Sequence, residues 1–284
     1  MAKVDINTKM ITLLGDPLKQ SFAAQMQNCG YEAAGLNMIY FYTEVNNEHL
    51  ADVVNGIRYM NFAGFAVTNK VKVLEYLDEL DPLCEKMGAS NTVVKTPEGK
   101  LVGYNTDGIG FIRSMERDGN VKIDENTYFC IGSGGAGRAM CSALAYYGAK
   151  KIYITDVFEE SSKALVEDIN KNFAPVAEFC PAGDFSKVKE ATVVLNASGI
   201  GMGSHIGENP LPKEFISKDQ FYFDACYNPA KTQFLLDAEE AGATILNGLG
   251  MSLYQGAAQI EYWTGQEPPI EAMRQKLLDI ISEK

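Results

Sequence analysis

The sequence is poor in the residues of several common chemistries. It has only two histidines, His49 and His205, far apart and with no cysteine cluster beside either. Zinc sites need ligands at short, regular spacings, so no metal centre is expected. The six cysteines, Cys29, Cys84, Cys130, Cys141, Cys180 and Cys226, include no C-x-x-C pair, and most stand among apolar neighbours. They read as small buried hydrophobes in a reducing compartment, not as a disulfide framework. Positive charge is also scarce: 25 Lys and Arg face 37 Asp and Glu, for a net charge of -12. Such a surface repels phosphate backbones, and no basic or helix-turn-helix-like segment offsets it, so nucleic-acid binding is not expected. There is no apolar run of the length needed to cross a bilayer. The opening residues, Met1 to Asp5, carry no apolar signal region, and a cytoplasmic location is the expectation. No internal repeat or low-complexity tract interrupts the chain.

What is present is ordinary globular material. The 284 residues are 46% hydrophobic and 22% charged, enough to bury a large core without staples, in one large or two ordinary domains. Short apolar runs at Met10–Leu14, Met38–Glu44 and Gly64–Thr68 read as strands. Gln25–Ala34 and His49–Tyr59 between them carry helical spacing, for example Leu50, Val53, Val54 and Ile57. The texture changes near Gly103–Gly108, where a charged helix, Ile109–Asp118, follows. Strands are then expected at Thr127–Ile131, Lys151–Thr155, Thr192–Asn196 and Tyr222–Ala225, with helices at Ser162–Asn170 and Thr232–Ala241. Strands alternating with helices predict an α/β chain with mostly parallel sheets in two domains. The tail from Gly250 reads as helices that return to the first domain.

One motif carries chemistry unaided. Gly132-Ser133-Gly134-Gly135-Ala136-Gly137 spells G-x-G-x-x-G directly after a predicted strand and opens a helix, Arg138–Tyr147. That context marks a dinucleotide loop: Gly132 for the tight turn, Gly134 for close approach of backbone to pyrophosphate, Gly137 for helix–strand packing. Gly135 and Ala136 supply further N–H groups at the positive end of the helix. The plain alternative is a glycine-rich turn with no ligand. The next strand ends at Asp156, the spacing at which an acid accepts hydrogen bonds from the adenosine ribose. A carboxylate there repels a 2'-phosphate, and Val157 and Phe158 follow where NADP enzymes often carry arginine, so NAD is expected over NADP. Asp156 as a mere helix cap is the competing reading.

Two further segments, Val67-Thr68-Asn69-Lys70-Val71-Lys72 and Asn105-Thr106-Asp107, hold an amine and a carboxylate of the kind that moves a hydroxyl proton during hydride transfer. Taken singly, each is more commonly a solvated surface charge. With these segments the chain resembles the shikimate/quinate dehydrogenase family along essentially its whole length. The resemblance runs in order through Gly15-Asp16-Pro17 to Ser21, Gly64–Lys72, Gly88–Thr92, Gly103–Gly108, the Gly132–Ala139 loop, Asn196-Ala197-Ser198, Tyr227-Asn228-Pro229 and Asn247–Met251. It implies a substrate-binding and catalytic domain over residues 1–107, a Rossmann-type dinucleotide domain over 108–245, and C-terminal helices over 246–284 packing on the first, with the active site in the cleft between domains. It further implies Lys72 and Asp107 as the proton-transfer pair. Ser21, Thr68, Asn91, Tyr227 and Gln255 would line the substrate pocket, and Ser198, Ile200 and Met251 would lie near the nicotinamide. Partners are expected to be small molecules, and the chain a monomer or homodimer.

Departures from the family pattern cluster at one end of the implied pocket. Ala23 stands where a second serine would help hold the substrate carboxylate, Ala24 where proline is usual, and Gln20 where histidine is usual. Ala66 replaces an asparagine, and Lys70 a proline two residues before the implied catalytic lysine. A lost hydrogen bond to a charged group costs ~1.5–3 kcal/mol, so shikimate itself is expected to bind weakly. Two alternatives stay open at this point: a specialised paralogue acting on an amino or otherwise modified analogue, and a non-catalytic NAD- or metabolite-binding regulator. Retention of both Lys72 and Asp107 argues against the regulator.

Overall fold

The computed structural model describes residues 4–18 and 21–282. The chain forms two compact units. Residues up to Thr106, together with those from Leu253 onward, make the first, and Asp107–Ser252 make the second.

The first unit is built on strands β1 (Lys9–Gly15), β2 (Met38–Glu44), β3 (Phe62–Val67), β4 (Glu79–Leu80), β5 (Thr92–Lys95) and β6 (Leu101–Tyr104). Their order is β2-β1-β3-β5-β6-β4. β1, β2 and β3 run parallel, whereas β5 runs antiparallel to both β3 and β6. Helices α1 (Ala23–Ala33) and α2 (Leu50–Tyr59) provide the parallel crossovers, and α3 (Pro82–Met87) follows β4. Asp81 caps α3 by accepting from the N–H groups of Leu83 and Cys84, and Pro82 takes the first helical position, where no N–H is needed. One side of the sheet buries Leu14, Phe65, Val67 and Val93 against Leu50, Val54 and Ile57 of α2. The apolar spacing of α2 thus faces the sheet as its sequence requires.

Helix α4 (Thr106–Arg117) opens the second unit, whose strands are β7 (Thr127–Ile131), β8 (Lys151–Thr155), β9 (Ala177–Phe179), β10 (Val193–Asn196), β11 (Phe221–Asp224) and β12 (Thr244–Asn247). All six pair in parallel, in the order β12-β11-β10-β7-β8-β9. Read from β9, this is the doubly wound order with its switch point between β7 and β10. Helices α5 (Gly135–Tyr146), α6 (Glu159–Asn172) and α7 (Gln233–Glu240) complete it. Buried residues fall on both faces of this sheet, with Tyr128, Cys130, Ile152 and Phe223 in one cluster and Phe129, Val194, Tyr222 and Phe234 in another. Strands covered on both sides read as unbroken apolar runs, which is why they are visible in the sequence.

The last two helices are α8 (Leu249–Thr264) and α9 (Ile270–Ser282), and α9 packs on α1 in the first unit. The helices and strands expected from the sequence occur within a few residues of their observed ends. β5 and β6 were not anticipated; they are four residues each, joined through Gly99 at φ +86°. Thr68 falls just outside β3. No helix among the described residues is long and apolar enough to cross a membrane.

Candidate functional site

The glycine loop of the second unit is fixed by contact geometry. Gly132 has φ +106°, and a Cβ there would meet the Ala197 backbone at 2.6 Å. A Cβ on Gly137 would lie 2.0 Å from the Gly132 carbonyl oxygen, so helix α5 approaches the loop too closely for any side chain. Gly134 and Gly135 differ: both are exposed, with open space where a Cβ would stand. Gly134 caps α5 without a side-chain acceptor, and the first turn holds no acid. The N–H groups of Gly135, Ala136 and Gly137 have no hydrogen-bond partner among the described residues. Unpaired donors at the positive end of a helix, approached through open space, fit a pyrophosphate.

Asp156 ends β8 beside this loop. Its Oδ2 accepts from the Ser133 N–H at 2.6 Å and the Ser133 hydroxyl at 2.8 Å, and its Oδ1 accepts from the Phe158 N–H at 2.9 Å. Burial pushes the carboxyl up, but these donors outweigh it and hold it below the ordinary value. Asp156 therefore fixes the turn ahead of α6, whose N-cap is Phe158, and clips the glycine loop. Around it, Glu159 and Glu160 share one lysine, Lys163, at 3.4 and 2.9 Å.

The loops after β10 and β11 are tied by a carboxylate that sequence reasoning missed. Asp224 is fully buried and accepts from the Thr232 hydroxyl at 2.5 Å, the Cys226 N–H at 2.9 Å and Asn196 Nδ2 at 3.1 Å. Burial raises its carboxyl above the ordinary value despite these donors. Asn196 in turn accepts from the Ser198 hydroxyl at 2.6 Å and the Ser198 N–H at 3.1 Å, and donates to the Ile200 carbonyl at 2.9 Å. Ser198 and Ile200 are thus held by Asn196. Burial raises the phenol of Tyr227, with Ser252, next to Met251, acting against it. Asp107 is half-buried in the first turn of α4.

In the first unit a buried polar cluster joins β5, α8 and the start of α4. Asn91 Oδ1 accepts from the Thr106 N–H at 2.8 Å and from the Thr106 and Thr92 hydroxyls at 3.1 Å each. Gln255 donates to the Thr106 hydroxyl at 3.2 Å, and Gln259 to the Thr92 hydroxyl at 2.9 Å. The chain bearing Thr68 runs alongside: the Val67 N–H donates to the Asn91 carbonyl at 3.0 Å, and the Ser90 N–H to the Lys70 carbonyl at 2.8 Å. Thr68 is exposed, and its hydroxyl would lie 2.2 Å from a Cβ on Gly15, so Gly15 leaves room for it. Lys72 follows in the same turn, where its N–H donates to Asn69 Oδ1 at 3.1 Å. It begins a short helical turn, and its Nζ pairs with Glu75 Oε2 at 2.6 Å. That hydrogen bond raises its ammonium above the ordinary value. Ser21 precedes α1, where its Oγ accepts from the Ala23 N–H at 3.3 Å and its carbonyl accepts from the Tyr42 hydroxyl at 2.8 Å. Gln20 lies outside the described residues. Glu75, Asp224 and Tyr42 carried no motif in the sequence; each became visible only through its partners.

A doubly wound parallel sheet with an open glycine loop at its switch point, and an acid after the next strand, defines a dinucleotide-binding domain. The comparisons with known proteins narrow that class. Residues 13–93 match the shikimate dehydrogenase substrate binding domain, and residues 248–278 the shikimate 5'-dehydrogenase C-terminal domain. The shikimate dehydrogenase (NADP(+)) of Methanococcus maripaludis is 38% identical over 96% of this chain and 98% of its own. The crystal structure of shikimate 5-dehydrogenase from Listeria monocytogenes in complex with shikimate and NAD superposes with a TM-score of 0.93, at 35% identity over 98% of this chain and 99% of that one. Quinate dehydrogenase from Corynebacterium glutamicum in complex with NAD gives 0.89, at 29% identity over 96% and 99%. The chain belongs to the shikimate dehydrogenase family, and is an NAD(P)-dependent oxidoreductase acting on CH–OH groups.

Proposed function

We infer that this enzyme interconverts a secondary alcohol and a ketone on shikimate, quinate or a closely related cyclic polyol acid, with NAD as its preferred cofactor. The observation that carries the cofactor reading is Asp156, an ionised carboxylate fixed against the glycine loop by Ser133. A 2'-phosphate would meet that charge together with Glu159 and Glu160, both of which pair with the same lysine, Lys163. A ribose diol would instead find acceptors. The bound nicotinamide supplies the hydride acceptor or donor; the chain supplies position and proton transfer.

For the proton, the turn Thr68–Lys72 offers two amines. Lys72 is the position the family pattern designates, and its Nζ pairs with Glu75 Oε2 at 2.6 Å in a half-exposed ion pair that opens for the amine to reach substrate. Lys70 is anchored by its backbone to Thr68 and Ser90, alongside the Asn91–Thr106–Gln255 cluster. We keep the proton-transfer role at Lys72, because these contacts of Lys70 are made by its backbone, with Asp107 as the carboxylate that orients the reacting hydroxyl. Ser21, Thr68, Asn91, Gln255 and Tyr227 remain the substrate-lining set.

The deciding assay follows reduced nicotinamide formation with NAD or NADP across shikimate, quinate and amino-substituted analogues. Turnover of shikimate or quinate with NAD is the expected result. Turnover confined to an amino analogue would move the assignment to a specialised paralogue, and binding without turnover of any of them would overturn the enzymatic reading.

A further inference from the structure

The polar cluster and Thr68 lie at the C-terminal ends of β1 and β3, the edge where open α/β sheets bind ligands. The opposite edge of the same sheet carries a second hollow. Its lining includes Lys9 at the start of β1, Met38 at the start of β2, Phe62 at the start of β3, Lys95 at the end of β5, and Trp263 and Thr264 at the end of α8. Its volume is about 870 Å³, within the range that encloses small metabolites.

The charge of this hollow is unlike that of the rest of the molecule. In a chain of net charge -12 its lining holds two lysines and no acid. Neither lysine pairs with a carboxylate among the described residues. Lys95 spends its three protons on the carbonyls of Ile57, Arg58 and Met60 at the end of α2, at 3.3, 3.2 and 2.5 Å. Its charge is compensated there by helix-end dipoles and not by an anion. Burial lowers its ammonium, and the positive charge of Lys9 lowers it further, so the two cations share one field. Lys9 is exposed and donates to Asn61 Oδ1 at 2.7 Å. An ammonium has three protons, so two stay available. Asp5, which reaches the rim through Asn37, has its carboxylate held by Asn37 Nδ2 and the Asn7 N–H. Between the lysines the walls are flat and apolar: Phe62, Met38, Val94, Pro97 and the indole of Trp263, whose Nε1 is committed to the Val93 carbonyl at 3.0 Å.

We propose that this hollow is a second ligand site, distinct from the substrate pocket, that binds a small carboxylate carrying a flat apolar ring, with Lys9 as the direct contact to the carboxylate and Lys95 as a fixed background charge. The ring packs on Phe62 and Trp263, and the carboxylate relieves the repulsion between the two ammonium groups.

Trp263 is the chain's one tryptophan and lines the hollow, so its fluorescence reports on this site. The test is a titration of the full chain with benzoate, alongside neutral benzamide and ringless acetate. Benzoate is expected to change Trp263 emission saturably, with benzamide and acetate each weaker by roughly tenfold. Lys9→Gln is expected to weaken benzoate by about fivefold while leaving turnover and melting temperature unchanged, since Lys9 is exposed and outside the catalytic set. No saturable change, equal binding of benzamide, or unaltered benzoate binding in Lys9→Gln would each overturn the proposal.

Discussion

The cofactor loop and the Thr68–Lys72 turn are both short, both follow a parallel strand, and differ in how much of their function the sequence dictates. In the loop, geometry demands the residue type at each step. No Cβ fits at Gly132 or Gly137, and none is wanted where Gly134 and Gly135 leave room for a ligand. In the turn, the backbone constrains little. Lys70 and Lys72 are two residues apart, either is sterically tolerated, and only their partners distinguish them. A backbone requirement is written in residue identity, whereas a side-chain role is written in three-dimensional neighbours.

The largest test of this contrast is the pair of lysine substitutions. Lys72→Ala is expected to lower kcat about 10²-fold or more with little effect on NAD affinity, the signature of lost general acid–base catalysis. Lys70→Ala should cost kcat no more than a fewfold, because the contacts that fix Lys70 in the turn are made by its backbone. The reverse ranking, measured by steady-state kinetics, would move the role to Lys70 and leave Lys72 as half of a surface ion pair with Glu75.

The same contrast explains what was legible in the sequence. Four of the second unit's strands, β7, β8, β10 and β11, could be read because burial on both faces forces continuous apolar runs, whereas the half-exposed edge strands β9 and β12 could not, and its loop could be read because glycine has no substitute there. β5 and β6 were missed because, unlike the equally short β10, they are only partly buried and carry no unbroken apolar run, so four residues display neither a period nor a core stretch. The substrate-side positions entered through family resemblance and not through local chemistry. Asp224 was invisible for a different reason. An acid at the end of Phe221-Tyr222-Phe223 reads as the polar terminus of a strand, yet it is fully buried and organises two loops.

Asp224 gives the next largest effect. Its replacement by alanine strands donors of Asn196, Cys226 and Thr232, each costing about 1–3 kcal/mol if left unsatisfied. Since the Thr232 hydroxyl can rotate elsewhere, a total loss of about 2–3 kcal/mol in denaturant unfolding is expected, with weaker NAD binding through the Ser198–Ile200 loop. Asp224→Asn keeps the shape and removes a buried charge, so its cost should stay below about 1 kcal/mol. The sign of the pH effect follows from the raised carboxyl. As pH climbs from the unfolded value of roughly 3.9, the unfolded chain loses this proton first, so the group's ionisation subtracts stability through the window up to its folded pKa. Asp224→Asn should abolish that decline; an unchanged profile would show that Asp224 is not its source.

Cofactor choice sharpens the loop side of the comparison by a smaller amount. NAD should exceed NADP in kcat/KM by about tenfold or more, since repulsion of a 2'-phosphate in a partly dry site is worth over ~1 kcal/mol. Asp156→Ala should narrow the ratio. It should also loosen the glycine loop, because Ser133 loses both of its bonds to the carboxylate, so affinity for NAD itself falls. Equal efficiency with both cofactors in the unaltered enzyme would remove Asp156 from the discrimination.

The smallest expected change concerns Ala23, at the first position of α1. In the family pattern a second serine at this position shares the substrate carboxylate with the hydroxyl of Ser21. In this chain the Ser21 oxygen accepts from the Ala23 N–H at 3.3 Å, which leaves its hydroxyl proton to donate, so one of two donors survives. The neighbouring Tyr42 hydroxyl already donates to the Ser21 carbonyl and accepts from the Ala24 N–H at 3.0 Å, so it is committed to shaping this turn. With a single hydroxyl for a carboxylate, KM for shikimate or quinate should lie near or above ~1 mM. Ala23→Ser restores a donor on a backbone that is already helical and half-exposed, so no repacking is needed. A net hydrogen bond of about 0.5–1.5 kcal/mol corresponds to a KM lower by roughly twofold to tenfold. The lower part of that range is expected, because Ala66 and Lys70 also depart from the family pattern and contacting sites do not add independently. The measurement is KM for both acids in the parent and in Ala23→Ser, with kcat as the control that should not move. A parent KM in the low micromolar range would show that the pocket already satisfies the carboxylate by another route. The departures around Ser21 would then say nothing about the substrate, and the difference between a dictated loop and a permissive turn would extend to the substrate's own charged end.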